Sequence, residues 1–201
     1  MKKSNNNPNH PKKGSRITVE PIRRIKDIRL VSKLLADNPR NYLLFIMGIN
    51  NGLRTGDLLK LRVKQVRHLK PGDTLTIIES KTGKENFLAV NKTVSKALSR
   101  YLQSLKPDDD DFVFNSRKSN GPLTIQAVNS LVKKWSREAK INGNFGAHTL
   151  RKTFGYIQRT EHGVGFEVLA RRFNHSSPAI TMRYLGIQDK EVKNILNNEI
   201  G

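Results

Sequence analysis

Six side chains, taken in chain order, supply what is needed to break a phosphodiester without a metal: Arg54, Lys81, His148, Arg151, His175 and Tyr184. Phosphodiesters resist attack because their charge repels nucleophiles and the departing alkoxide leaves poorly. The transition state loads further charge onto the nonbridging oxygens, so positioned cations and hydrogen-bond donors lower the barrier. A guanidinium suits this task, since its planar fork meets two phosphate oxygens and stays charged. Arg54 and Arg151 are the candidates. A tyrosine hydroxyl can be the nucleophile, but with a free pKa of about 10 it needs help: nearby cations favour the phenolate, and a histidine can take its proton.

The spacing of these residues says which local structures must present them. Arg54 follows Asn51-Gly52-Leu53, a turn that can aim it away from the core. Asp57, three residues on, falls on the same face and is a candidate to orient it. Lys81 lies in Ser80-Lys81-Thr82-Gly83-Lys84, the turn of a predicted hairpin. There an ammonium can give a proton to a departing oxygen; Lys84 in the same turn competes for that role. His148 and Arg151 sit at i and i+3, so a helix puts both on one face. His175 lies in Asn174-His175-Ser176-Ser177-Pro178, a helix-to-helix turn in which Ser177 caps the next helix and Pro178 opens it. Tyr184 follows near the end of that helix. Of the other tyrosines, Tyr42 and Tyr101 read as core, and Tyr156 sits on the His148 helix.

The periodicity predicts a mainly α protein with one small antiparallel sheet. Helices are expected over about 25–36, 40–50, 55–61, 94–105, 125–140, 148–161, 166–173, 178–185 and 190–199. Strands are expected over 74–79 and 85–90, with 63–66 a candidate third strand. The helix over 40–50 is apolar nearly all round, so it belongs at the centre. Residues 1–17, rich in Asn, Lys and Pro, read as a flexible basic arm. Asp108 to Asp111 read as a solvated loop rather than a metal site. The 201 residues hold 37 Lys and Arg against 17 Asp and Glu, a formal charge of +20, which favours a polyanionic partner. No cysteine is present, so disulfides and thiolate metal sites are excluded. No apolar run approaches the ~20 residues of a membrane span, and no secretory leader is read at the start. The expected setting is cytoplasmic, on DNA.

In order and spacing, Gly52-Leu53-Arg54-Thr55-Gly56-Asp57, Ser80-Lys81-Thr82-Gly83-Lys84, His148-Thr149-Leu150-Arg151, Asn174-His175-Ser176 and Thr181-Met182-Arg183-Tyr184 resemble the catalytic domain of the tyrosine recombinases, the phage integrase family. The resemblance covers roughly residues 20–190. It implies that Tyr184 forms a 3′-phosphotyrosyl link, with Arg54 and Arg151 as the phosphate clamp. Lys81, favoured over Lys84 by its Lys-Thr-Gly setting, is then the general acid. His148 is the proton acceptor or a phosphate ligand, and His175 a donor to the transition state. Such chemistry stores the broken bond's energy in the link, so no cofactor, metal or ATP is expected. The implied partner is double-stranded DNA, with a homotetramer assembled on it and room for an accessory DNA-bending protein.

Three departures from the family pattern stand out. Asn174 replaces the common Gly, a change that a left-handed backbone tolerates. Asp57 replaces the more frequent Glu. About twenty residues precede the catalytic region, where most members carry a further DNA-binding domain; in length this resembles the small recombinases that invert fimbrial promoters. The expected organisation is an arm over 1–17, a catalytic domain over 18–188 and a C-terminal helix over 189–201, a candidate for docking on a neighbouring subunit. Type IB topoisomerase-like relaxation of DNA, and a catalytically silent DNA-binding regulator, are the competing readings.

Overall fold

The computed structural model describes residues 18–187, with Asn197 and Glu199. The arm expected over 1–17 lies outside the described residues, as does the last helix except at those two positions. The architecture is the mainly α one expected. Helices α1 (Ile25–Leu34), α2 (Pro39–Asn51), α3 (Thr55–Leu59) and α4 (Val63–Val66) precede the strands β1 (Thr74–Ile78) and β2 (Glu85–Ala89). Helices α5 (Lys92–Leu105), α6 (Ile125–Glu138), α7 (Ala147–Thr160), α8 (Phe166–Arg172) and α9 (Pro178–Leu185) follow. No helix among the described residues is long and apolar enough to cross a membrane.

Helix α2 is the central element, as its sequence requires. Pro39 opens it, and the Asn38 side chain accepts the Asn41 N–H. Leu43 to Met47 are buried without a break, and the helix packs against α5 and α7. Phe45 meets Trp135 of α6 edge to face at 6.3 Å. Gly52 ends α2 with φ of 59°, a left-handed turn, and a Cβ there would sit 2.3 Å from the Phe154 ring. The chain therefore turns hard against α7 just before Arg54.

The strands pair antiparallel, with Thr76 opposite Phe87 and Ile78 opposite Glu85. The expected third strand over 63–66 is instead the single helical turn α4. Gln65 Oε1 accepts the Arg62 N–H, while the Val63 and Lys64 N–H groups donate to the carbonyls of Asp111 and Asp109. With those donors taken by the acidic loop, the β-branched valines give way to context. That loop is more than a solvated one, since Lys64 and Arg67 pair with Asp110 and Asp109.

Two apolar cores share α7. Leu150 belongs to the large core around α2, whereas Tyr156 joins Phe166, Leu169, Phe173, Leu185 and Ile187 in a smaller one. The α7 N-terminus is held by Asn129 Oδ1, which accepts the Ala147 N–H, and by Thr149 Oγ1, which accepts the Gly146 N–H. Thus α7 carries its first turn fixed to the large core and its second half to the lobe that bears Tyr184.

Gly155 is where α7 lets that lobe approach. A Cβ there would meet Phe173 Cζ at 2.6 Å and Leu185 Cδ2 at 2.9 Å. Overpacking of this kind costs about 1–3 kcal/mol, against the ~1 kcal/mol that Ala gains over Gly inside a helix. G155A should therefore lower the unfolding free energy in urea by about 1 kcal/mol; an increase in stability contradicts the close approach.

Candidate active site

Arg151 is the most constrained of the sequence-predicted residues. It is 3% exposed. Nη1 donates to the Gly52 carbonyl at 2.6 Å and Nη2 to the Phe173 carbonyl at 2.7 Å. The guanidinium carbon also stands 4.5 Å from the centre of the Phe173 ring. One cation therefore joins the turn after α2, helix α7 and the turn after α8. Burial, followed by the neighbouring Arg54, holds its pKa below the ordinary value.

Arg54 caps α3 and is mostly buried. Its counter-charge is Glu79, which forms an ion pair with Nη1. The carboxylate expected to orient it, Asp57, does another job: Asp57 Oδ1 accepts the Ser80 N–H at 2.9 Å and so tethers the hairpin turn to α3. Geometry explains the exchange. Arg54 lies in extended backbone before the helix starts, so the i, i+3 rule of a helix face does not govern it. Glu79 is fully buried, and its Oε2 also accepts Thr82 Oγ1–H at 2.6 Å while Oε1 accepts Asn86 Nδ2–H at 2.9 Å. Those bonds and Arg54 outweigh burial and keep its pKa below the ordinary carboxylate value.

The remaining expected residues close around these two arginines. Tyr184 is half-buried, and its hydroxyl is buried without a well-aligned hydrogen-bond partner. Burial pushes its pKa up to about 12, opposed by the charges of Arg151 and Arg54. The His175 ring lies 5.2 Å from the Tyr184 ring and 5.2 Å from that of Phe173. Asn174 adopts φ of 51°, the left-handed turn that the sequence allowed, and His175 Nδ1 shares a proton with Thr181 Oγ1 at 2.9 Å. Desolvation and then Arg151 lower the His175 pKa to about 4. His148 is exposed at the start of α7, its pKa lowered by desolvation, Arg151, Lys152, Lys81 and Arg54. Both histidines are thus neutral near pH 7. Lys81 is exposed in the hairpin turn, and its charge reaches His148; Lys84 instead lines a cavity of about 750 Å³ with Phe87, Val168 and Arg171.

Three residues here were not anticipated. Glu79 takes the inward position of β1's alternation, next in line after Leu75 and Ile77, where a lone carboxylate is a legible anomaly. Arg172 donates to Asn86 Oδ1 at 2.6 Å and to the carbonyls of Asn51 and Phe87. Lys152 is 5% exposed, with Nζ 4.8 Å from the centre of the Tyr184 ring; nothing in its sequence position marks it. Among the described residues, no group of three or more His, Asp or Glu is placed to share a metal ion.

Residues 21–191 match the Phage integrase family. The chain belongs to that family. A Bacillus subtilis (strain 168) protein named probable integrase/recombinase YoeC is 37% identical over 174 residues, spanning 85% of this chain and 91% of its own. The tyrosine recombinase XerA of Pyrococcus horikoshii is 27% identical over 161 residues, 79% of this chain and 54% of that protein, so the chain spans about half of it. Among solved structures, XerA recombinase superposes with a TM-score of 0.72 at 20% identity, over 90% of this chain and 67% of that one. XerH bound to its palindromic difH substrate in a post-cleavage complex gives 0.70 at 18%, over 93% and 55%. The integrase catalytic fold is therefore shared with proteins solved on DNA.

The integrase-family site also carries a pH signature. His175 has a folded pKa of about 4 against an ordinary value of 6.5. Between those values the unfolded chain binds a proton that the folded protein refuses, so stability falls as the pH drops through that window. His148 acts in the same direction. Urea unfolding at about pH 7.5 and about pH 5 should show a smaller acid loss in H175N than in wild type; an equal loss contradicts the desolvated histidine.

Proposed function

We propose that this integrase-family protein is a site-specific DNA recombinase that cuts and rejoins strands through a 3′-phosphotyrosyl intermediate. The observation that carries this reading is the convergence of Arg54 and Arg151, from stretches of chain about a hundred residues apart, on the buried Tyr184 hydroxyl. Tyr184 Oη attacks phosphorus, the bond to the 5′-oxygen breaks, and the tyrosine proton passes to neutral His148. Lys81 protonates the departing 5′-oxygen. Arg54 and Arg151 hold the nonbridging oxygens as their charge grows. In the tautomer that accepts the Thr181 hydroxyl proton at Nδ1, His175 carries its own proton on Nε2 and donates it to the same oxygens.

The reverse step needs only a 5′-hydroxyl from another strand. It attacks the phosphotyrosyl bond, frees Tyr184 and restores a phosphodiester, so neither ATP nor a metal enters the cycle. Exchange between two duplexes requires four strand cuts, which four subunits supply on a symmetric tetramer. The excess of positive charge over the chain supplies the phosphate contacts that hold the duplex. A DNA-bending accessory protein fits the same assembly.

The test is a suicide substrate nicked so that the 5′-hydroxyl fragment diffuses away. Wild type should accumulate a covalent adduct visible on a denaturing gel, and Y184F none. R54A and R151A should bind the same DNA yet form adduct about a hundredfold or more slowly, since the donors they lack act in the transition state. Adduct formation by Y184F at the wild-type rate overturns the assignment.

A further inference from the structure

We propose that Glu79 is a positioning residue that sets the phosphate clamp Arg54 and the proton donor Lys81 in one register. This rests on the roles proposed for those two residues. Beside a phosphate-binding site, a buried carboxylate is electrostatically adverse, since it repels the anion the site must hold. It is also costly to bury unless fully partnered. Here it is fully partnered. One carboxylate oxygen pairs with Arg54 and accepts Thr82 Oγ1–H; the other accepts Asn86 Nδ2–H.

The Glu79 backbone holds the same turn. Its N–H donates to the Lys84 carbonyl at 2.9 Å, and its carbonyl accepts the N–H groups of Thr82 at 3.3 Å and Gly83 at 2.8 Å. Lys81 thus sits between Ser80, whose N–H is held by Asp57, and Thr82, which is bonded to Glu79 through both its hydroxyl and its N–H. A long, exposed lysine otherwise carries large rotamer entropy, and a fixed turn confines where its ammonium can reach. Through Asn86 the constraint extends to Arg172, which binds the Asn51 carbonyl one residue before the Gly52 carbonyl that holds Arg151. Clamp and acid therefore move together or not at all.

The test compares two suicide substrates in single turnover. One is ordinary DNA; the other has sulfur in place of the bridging 5′-oxygen at the scissile phosphate, giving a leaving thiolate that needs no proton. On ordinary DNA, E79Q should form adduct about ten to a hundredfold more slowly than wild type, with DNA affinity within about threefold. With bridging sulfur, the part of the loss that comes from a misplaced Lys81 should disappear and the part that comes from Arg54 remain. T82V, which removes the Thr82 hydroxyl from Glu79 and with it the longer 3.3 Å bond from the Lys84 N–H while leaving Arg54 its ion pair, should show a smaller loss that sulfur restores in full. If E79Q does not fold, T82V decides alone. Rates within twofold of wild type, or equal losses on both substrates, overturn the proposal. A wild-type protein that forms no adduct on either substrate overturns the recombinase reading instead, and is distinguishable on that basis.

Discussion

Three guanidinium groups gathered around the buried carboxylate of Glu79 set the conditions for everything else in this protein. Arg54, Arg151 and Arg172 each act on the same neighbourhood, and Glu79 is the anion whose charge is felt by Arg151, Arg172 and His175 alike. Desolvated cations repel one another and lose hydration, so each must find carbonyls, a counter-ion or an aromatic face. Arg151 and Arg172 find backbone carbonyls and the rings of Phe173 and Phe87. The sum stays positive: the buried carboxylates of Glu79 and Asp57 do not balance three arginines and Lys152. In the proposed reaction an incoming phosphodiester supplies the missing negative charge.

The fold solves the problem of holding these charges by tying distant turns to one helix. Phe173 shows how. Its carbonyl accepts from Arg151, and its ring packs against Phe154, His175 and Tyr184. The residue thus belongs to the small core and to the candidate site at once. Lys152, at the next position after Arg151, places its ammonium over the Tyr184 ring. A phenol with a pKa pushed to about 12 is a poor nucleophile at rest. In the proposed mechanism its reactivity depends on Arg54, ahead of α3, and on Arg151, Lys152 and His148, which α7 provides.

Much of this was legible in the sequence because it rests on local rules. The cap at Ser177, the proline at the start of α9 and the 3.6-residue pattern of α5 and α6 depend on neighbours along the chain. So does the left-handed turn at Asn174. The failures share the opposite cause. Val63 to Val66 have the composition of a strand, but the carbonyls that capture the Val63 and Lys64 N–H groups come from the acidic loop more than forty residues on. Asp57 was the natural partner for Arg54 by separation along the chain, whereas Glu79 reaches it only because the hairpin folds back over α3. Alternation along β1 pointed Glu79 inward without saying what it would meet.

The central claim is that these converging charges direct one phenol, and no other group, at a DNA phosphorus. The direct measurement is mass spectrometry of the trapped adduct after nuclease and protease digestion. The account predicts a phosphate-linked nucleotide fragment on the peptide that contains Tyr184, located by fragmentation to that residue. A link mapped to Tyr156, to a histidine or to any other side chain contradicts it.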